Sequence, residues 1–236
     1  MGKYMNDEIQ KYKLVSREYR EYIELWIHEV KTPIAASKLL MENHPYEKGD
    51  SLSEEISKIE NYVEQALYYA RSNSVEKDYM VKGCSLMELV APVLRKNRRA
   101  FILEGIGLEM EELEGEVFTD EKWSQFILEQ IIGNAIKYHS ENPGIRIYAR
   151  ATKNNVELTV EDNGIGIAAE DLPRVYEKGF TGKTGRQYQK ATGMGLYLVK
   201  KLCDKLNHGI HIESTKGKGT KVTLIFPTSE VEFLRK

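Results

Sequence analysis

The sequence predicts an α+β chain: a helical hairpin that dimerises into a four-helix bundle, then an α/β sandwich with helices on one sheet face. Three observations predict it. From about Asp7 to Arg71, apolar residues recur in steps of three and four, with no strand-like alternation. Further on, short alternating runs bounded by turn signals mix with helical runs. In that later region, three glycine-rich segments stand directly beside strands or a helix. The hairpin is expected over 1–75 and the mixed domain over 76–236.

Within the hairpin, Tyr12, Val15, Tyr19, Tyr22 and Trp26 form a stripe, and Ile23, Ile27, Val30 and Ile34 form an adjacent one. Such narrow seams belong to coiled coils and bundles. Asn43-His44-Pro45 and Gly49-Asp50 interrupt the pattern, which resumes at Leu52, Ile56, Ile59, Val63, Leu67 and Ala70. Ser51-Leu52-Ser53-Glu54 has capping-box spacing at that second start. Two helices are too small to shelter both stripes, so a second copy should complete a four-helix bundle. A homodimer is therefore expected.

Residues Ser72–Met80 are polar and read as a linker. A helix fits Ser85 to about Phe101, and Leu108–Leu113 and Val117–Thr119 are strand candidates. Asp120 can cap a helix through Trp123, Phe126, Ile127, Ile131 and Ile132. Ile145–Arg150 and Val156–Glu161 alternate like strands around a turn at Lys153-Asn154-Asn155. A helix fits Gly195–Leu206, and Gly209–Ser214 and Thr220–Phe226 flank a second hairpin turn.

Composition narrows the function. The chain has 236 residues, 34 Lys+Arg and 36 Asp+Glu, a formal net charge of −2. A nucleic-acid backbone as main partner is disfavoured, because such proteins carry a basic excess. With 41% apolar residues the chain can bury a core. Its longest charge-free run, Ala191–Val199, falls far short of the roughly 18 residues a bilayer crossing needs. Cys84 and Cys203 show no pairing or metal-ligand spacing and read as reduced thiols.

The glycine segments are Asp162-Asn163-Gly164-Ile165-Gly166-Ile167 after a strand, Gly193-Met194-Gly195-Leu196 before a helix, and Gly217-Lys218-Gly219-Thr220 before the last strand. A glycine pair opening a helix presents unpaired N–H groups and a positive dipole end, which suits phosphate. A carboxylate at a strand end can accept from an exocyclic amine, so Asp162 is a candidate reader of adenine. The spacing is neither a dinucleotide fingerprint nor a Walker loop.

Read together, these segments resemble the G1, G2 and G3 boxes of the Bergerat-type ATP site found in sensor histidine kinases, Hsp90 and type II topoisomerases. Gln130-Ile131-Ile132-Gly133-Asn134-Ala135-Ile136-Lys137-Tyr138 resembles the N box, and Tyr176-Glu177-Lys178-Gly179-Phe180 the F box. Upstream, His28-Glu29-Val30-Lys31-Thr32-Pro33 resembles the H box of the histidine kinase dimerisation helix. The chain is thus similar, from about Arg17 to Pro227, to the cytoplasmic core of a sensor histidine kinase.

That resemblance implies ATP and Mg²⁺ as cofactors and His28 as phosphoacceptor. At 100° per residue, His28 points roughly 130° from the centre of the Ile23–Ile34 seam, toward solvent. Glu29 resembles the general base. Thr32, one turn on, is either a group that orients water for dephosphorylating the partner or an ordinary helix threonine. Pro33 should kink the helix just past the histidine. Asn134 is implied as the Mg²⁺ ligand, Lys137 as a phosphate contact and Tyr138 as a wall of the nucleotide site. Asp162, Gly164, Gly166, Gly193, Met194, Gly195, Leu196 and Thr220 are the other expected nucleotide-binding residues. Residues 168–192 should form a lid that Phe180 docks, with Lys183, Arg186 and Lys190 as candidates for the γ-phosphate. Position 130 departs from the family, which usually has Asn there; Gln130 adds one methylene, which puts the strength of metal binding in question.

Trp26, Thr-Pro-Ile-Ala-Ala after the histidine, and Gln130 narrow the likeness to Bce-type kinases, which sense envelope antimicrobial peptides beside an ABC transporter. The implied partners are a second copy, a response regulator receiver domain and an ABC transporter permease. The implied location is the cytoplasmic side of a membrane-anchored protein. A chaperone-like ATPase and a catalytically impaired dimeric scaffold docking a regulator are the competing readings.

Overall fold

The computed structural model describes residues 16, 23, 26, 27, 29–39, 41, 49–73, 79–111, 113–152, 154–182 and 192–229. The expectations for His28, for Tyr12 through Tyr22, for Asn43-His44-Pro45, for Lys153 and for Lys183, Arg186 and Lys190 lie outside those residues. The chain divides into two compact units, Met1–Glu76 and Lys77–Lys236.

In the first unit, residues 29–39 are helical and helix α1 spans Gly49–Asn73. The expected cap at Ser51 is corrected: the helix starts two residues earlier, so Ser51 lies within its first turn. Glycine is tolerated there because first-turn N–H groups lack an intrahelical partner, so little is lost. The expected linker also shortens, because α1 runs through Asn73. Buried Pro33 sits inside the helical run. Ile27, Ile34 and Met41, spaced by seven, are exposed, as are Ile56, Val63 and Leu67 on α1. The Trp26 indole N–H donates to the Tyr62 carbonyl at 2.7 Å and ties the helices together.

In the second unit, strand β1 (Lys82–Ser85) leads into helix α2 (Leu86–Leu103). Ser85 caps α2 through a reciprocal box. Its hydroxyl accepts from the Glu88 N–H at 3.3 Å, and the Glu88 carboxylate accepts from the Ser85 N–H at 2.7 Å. Strands β2 (Gly107–Met110) and β3 (Glu116–Thr119) follow. β2 is shorter than the expected Leu108–Leu113, since Leu113 leaves the ladder and turns inward to a buried position. Asp120 caps helix α3 (Glu121–Lys137), accepting from the Trp123 N–H at 2.9 Å. Then come β4 (Gly144–Ala151), β5 (Asn155–Asp162), a single 3-10 turn (Leu172–Arg174), helix α4 (Gly195–Lys205), β6 (Gly209–Thr215) and β7 (Gly219–Pro227).

The main sheet has the order β2-β4-β5-β7-β6, with only β2–β4 parallel; β1 and β3 pair separately. Register assigns the faces. The row Ile147–Val160–Val222–Ile212 points into the core, while the neighbouring row Arg146–Glu161–Lys221–Glu213 alternates in charge on the outer face. α2 packs on α3 and α3 on α4. Leu86, Leu89, Ile127, Leu128, Ile132 and Leu198 are fully buried, each contributing roughly 1.5–3 kcal/mol.

One polar knot lies in this core. Buried His208 contacts the Thr119 hydroxyl through Nε2 at 2.6 Å, and Thr119 contacts Ser124 at 2.6 Å. Burial pushes the His208 pKa down to about 3. Above pH 6.5 the ring is neutral in folded and unfolded chains alike, and stability is unaffected. Below 6.5 the unfolded chain takes a proton that the folded one refuses. Stability should therefore fall by up to about 1.4 kcal/mol per pH unit as pH drops from 6.5 toward 3. Urea titrations at pH 7, 6 and 5 on the chain and on His208→Gln check this; the variant should lose that share of the slope.

Candidate functional site

Helix α3 offers one face to a cavity: Ile131, Asn134, Ala135 and Tyr138 recur in steps of three and four and all line it. The opposite wall comes from the sheet, through Val160, Asp162, Thr220, Val222 and Ile212. Ile165 to Ala168, Phe180 and Leu196 add to the lining of a cavity of about 150 Å³. Most of that lining is apolar. Walls of this kind suit a flat ring, and the Asp162 carboxylate is a hydrogen-bond acceptor among them.

Asp162 is held by its own loops. Its Oδ1 accepts from the Gly164 N–H at 2.8 Å and the Thr220 N–H at 3.2 Å. Both described donors share one oxygen, which leaves Oδ2 for a ligand. Burial raises its pKa, and the two backbone hydrogen bonds counter that only in part.

The glycines also allow the loops around the cavity to approach one another closely. A Cβ at Gly164 would lie 2.3 Å from the Tyr138 carbonyl oxygen, and one at Gly166 would lie 2.1 Å from that of Thr215. At Gly219, with φ of +111°, it would lie 1.9 Å from the Asp162 carbonyl oxygen. These positions bring loop backbone against loop backbone. The Ile165 N–H donates to the Tyr138 carbonyl at 3.0 Å, and the Gly217 N–H to the Ile165 carbonyl at 2.7 Å. The end of α3, the loop after β5 and the β6–β7 turn are thereby stitched together around Asp162.

The loop before α4 is built in the same way. Gly193, with φ of +66°, packs on the backbone of Gly179 and Phe180, and the Gly179 N–H donates to its carbonyl at 3.1 Å. The Phe180 ring lines the cavity on one side, and the Arg174 guanidinium lies 4.3 Å from its centre. Met194 occupies the N-cap of α4 without a side-chain cap, and the first turn of a helix carries a positive dipole end that suits an anion.

Of the expected nucleotide-binding residues, Asn134, Tyr138, Asp162, Gly166, Phe180, Leu196 and Thr220 line the cavity. Gly164, Gly193, Met194 and Gly195 are not among the residues that line it. Lys137 lies outside the lining, with its ammonium 5.1 Å from the centre of the Tyr138 ring. Gln130 is turned toward α4, where its Oε1 lies 3.2 Å from the place a Cβ on Gly195 would take. Asp171, which no motif singles out, also lines the cavity. A lone acidic residue in a polar loop gives no local signal. In the other unit, Glu29 is half-buried and Thr32 exposed on the helical segment.

Residues 119–230 match the family of histidine kinase-, DNA gyrase B-, and HSP90-like ATPases. The chain as a whole is similar to sensor histidine kinases. Sensor protein kinase GraS of Staphylococcus aureus (strain MRSA252) is 35% identical over 223 residues, 94% of this chain and 64% of that protein. Sensor histidine kinase YxdK of Bacillus subtilis (strain 168) is 34% identical over 209 residues, 88% of this chain and again 64% of the relative. The chain thus spans a little under two thirds of the length of these curated relatives. In fold it resembles the Acinetobacter baumannii histidine kinase AdeS, with a TM-score of 0.65 at 21% identity over 86% of this chain and 98% of that one. It also resembles histidine kinase ThkA crystallised with response regulator protein TrrA, with a TM-score of 0.62 at 21% identity over 94% of this chain and 67% of that one.

Proposed function

We propose that the chain is the catalytic core of a sensor histidine kinase. It would bind ATP in the cavity of the second unit, transfer the γ-phosphoryl group to His28, and pass it to an aspartate of a response regulator. The observation that carries this reading is the convergence of Asn134, Asp162, Phe180, Leu196 and Thr220, from distant segments, on one apolar cavity.

Each residue has a role in that reading. The apolar walls take the purine, and Asp162 Oδ2 accepts from its exocyclic amine. The start of α4, which reaches the cavity wall through Leu196, would turn its positive dipole end to the phosphates. A His28 nitrogen attacks the γ-phosphorus, the bond to the β–γ bridging oxygen breaks, and ADP leaves. Glu29 removes the proton from the other ring nitrogen. Among the described residues no cluster of three or more His, Cys, Asp or Glu could hold a metal ion. That fits a divalent cation brought in by the phosphates, with the Asn134 amide oxygen as protein donor and charge neutralisation as its contribution.

A homodimer follows from the exposed stripe. Ile27, Ile34 and Met41, with Ile56 and Val63, repeat every seven residues, the spacing of a helical seam that a second copy would cover. Ile34→Glu with Val63→Glu should convert the dimer into monomer in light-scattering measurements. A response regulator receiver domain is the proposed protein partner, as in the ThkA–TrrA complex. The narrower resemblance adds an ABC transporter permease and a membrane anchor on the full protein. Among the described residues no helix is long and apolar enough to cross a membrane. The deciding experiment is transfer of ³²P from γ-labelled ATP. Label stable to alkali, labile to acid and absent in His28→Gln is expected. Steady ATP turnover in His28→Gln without label would favour an ATPase, and no saturable ATP binding would favour a scaffold.

A further inference from the structure

We infer that Tyr62, on α1, is a positioning residue for the Glu29 carboxylate; this rests on the reading of Glu29 as the base that serves His28. Trp26 and Glu29 lie three residues apart, on one side of the first helix. Both engage Tyr62. The Trp26 indole N–H donates to its backbone carbonyl at 2.7 Å. Its phenol donates to the Glu29 carboxylate. A single residue therefore fixes both the pairing of the helices and the direction of a carboxylate adjacent in sequence to the phosphoacceptor.

Glutamate has three rotatable side-chain bonds, so a carboxylate on a helix surface sweeps a wide arc. A base must face one ring nitrogen, and misplacement by an ångström is costly. A carboxylate offers about four lone-pair sites, so accepting from Tyr62 is compatible with accepting from an imidazole N–H. Burial, together with Glu29, pushes the Tyr62 phenol up to about 12, so it remains a donor at neutral pH. Glu55 also lies near Tyr62 but is ion-paired with Lys58.

Tyr62→Phe removes one hydroxyl and keeps both the ring and the carbonyl that holds Trp26. It should lower the kcat of autophosphorylation by about tenfold, within the range for losing a hydrogen bond to a charged group, with KM for ATP unchanged. Glu29→Gln should be slower still, and Glu29→Gln/Tyr62→Phe no slower than Glu29→Gln alone. If Glu29→Gln is slow but Tyr62→Phe runs like the parent, the positioning role is wrong and the base stands. If Glu29→Gln runs like the parent, the base reading fails and the positioning role falls with it. If Tyr62→Phe costs as much in the Glu29→Gln background as in the parent, Tyr62 acts only on structure. Should Tyr62→Phe melt early, Tyr62→Gln against Tyr62→Ala decides: the amide donor must retain more activity than the methyl.

Discussion

Asp162→Asn is expected to weaken ATP binding by roughly 10- to 100-fold, the effect of losing a hydrogen bond to a charged acceptor. The change is nearly isosteric. An amide oxygen at Oδ1 still accepts from the Gly164 and Thr220 N–H groups, so the loops stay in place. At Oδ2, an acceptor becomes an NH₂ donor facing the donor amine of the base. Binding should therefore collapse while the melting temperature hardly moves. Titration calorimetry with ATP, beside a thermal melt, separates the two. The same carboxyl has a pKa raised by burial. Its ionised form is the acceptor, so ATP affinity should begin to fall on acidification at a higher pH than an ordinary Asp would give. Unchanged affinity in Asp162→Asn would remove the adenine-reading role.

Gly219→Ala is expected to damage the whole second unit. The new methyl would lie 1.9 Å from the Asp162 carbonyl oxygen and 2.8 Å from the Asn163 Cα, both backbone atoms that cannot swing aside. The residue must also hold φ of +111°, where a side chain is strained. Overlap and strain together should cost roughly 3–5 kcal/mol, which a marginally stable domain can hardly absorb. Gly217→Ala, two residues earlier, provides the control. It too has positive φ, +78°, but nothing lies within 4 Å of the added methyl. It should cost only about 1–2 kcal/mol, the strain of the left-handed region by itself. Melting curves of the two variants test the contrast. Equal losses would mean that strain, not backbone contact, sets the requirement.

The role of these glycines shows how far the sequence could be read. Their density beside strand ends marks the loops around the cavity, and Asp162 stands out as a carboxylate at a strand terminus. What the glycines touch is hidden. Gly219 meets Asp162 across 57 positions of sequence and Gly193 meets Gly179 across 14, and no local pattern encodes either partner. Gln130 is similar. Its extra methylene is legible as a departure from the family, but its turn toward Gly195 on α4 depends on helix packing.

By itself the sequence determined what depends on near neighbours: the helical character of residues 29–39 and of α1, the alternation of β4, β5, β6 and β7, the cap at Asp120 and the order of the glycine segments. Period and capping act within a few residues, so the information is local. Only the tertiary structure decided what depends on distant pairs. β1 is four residues containing Gly83 and Cys84 and exists through antiparallel pairing with β3. β2 joins the main sheet through its parallel partner β4. Asp171 reaches the cavity, and Tyr62 reaches Glu29, because folding brings them there. In each case the stabilising contact forms only after a long loop has closed, and a short window of residues carries no record of what will meet it.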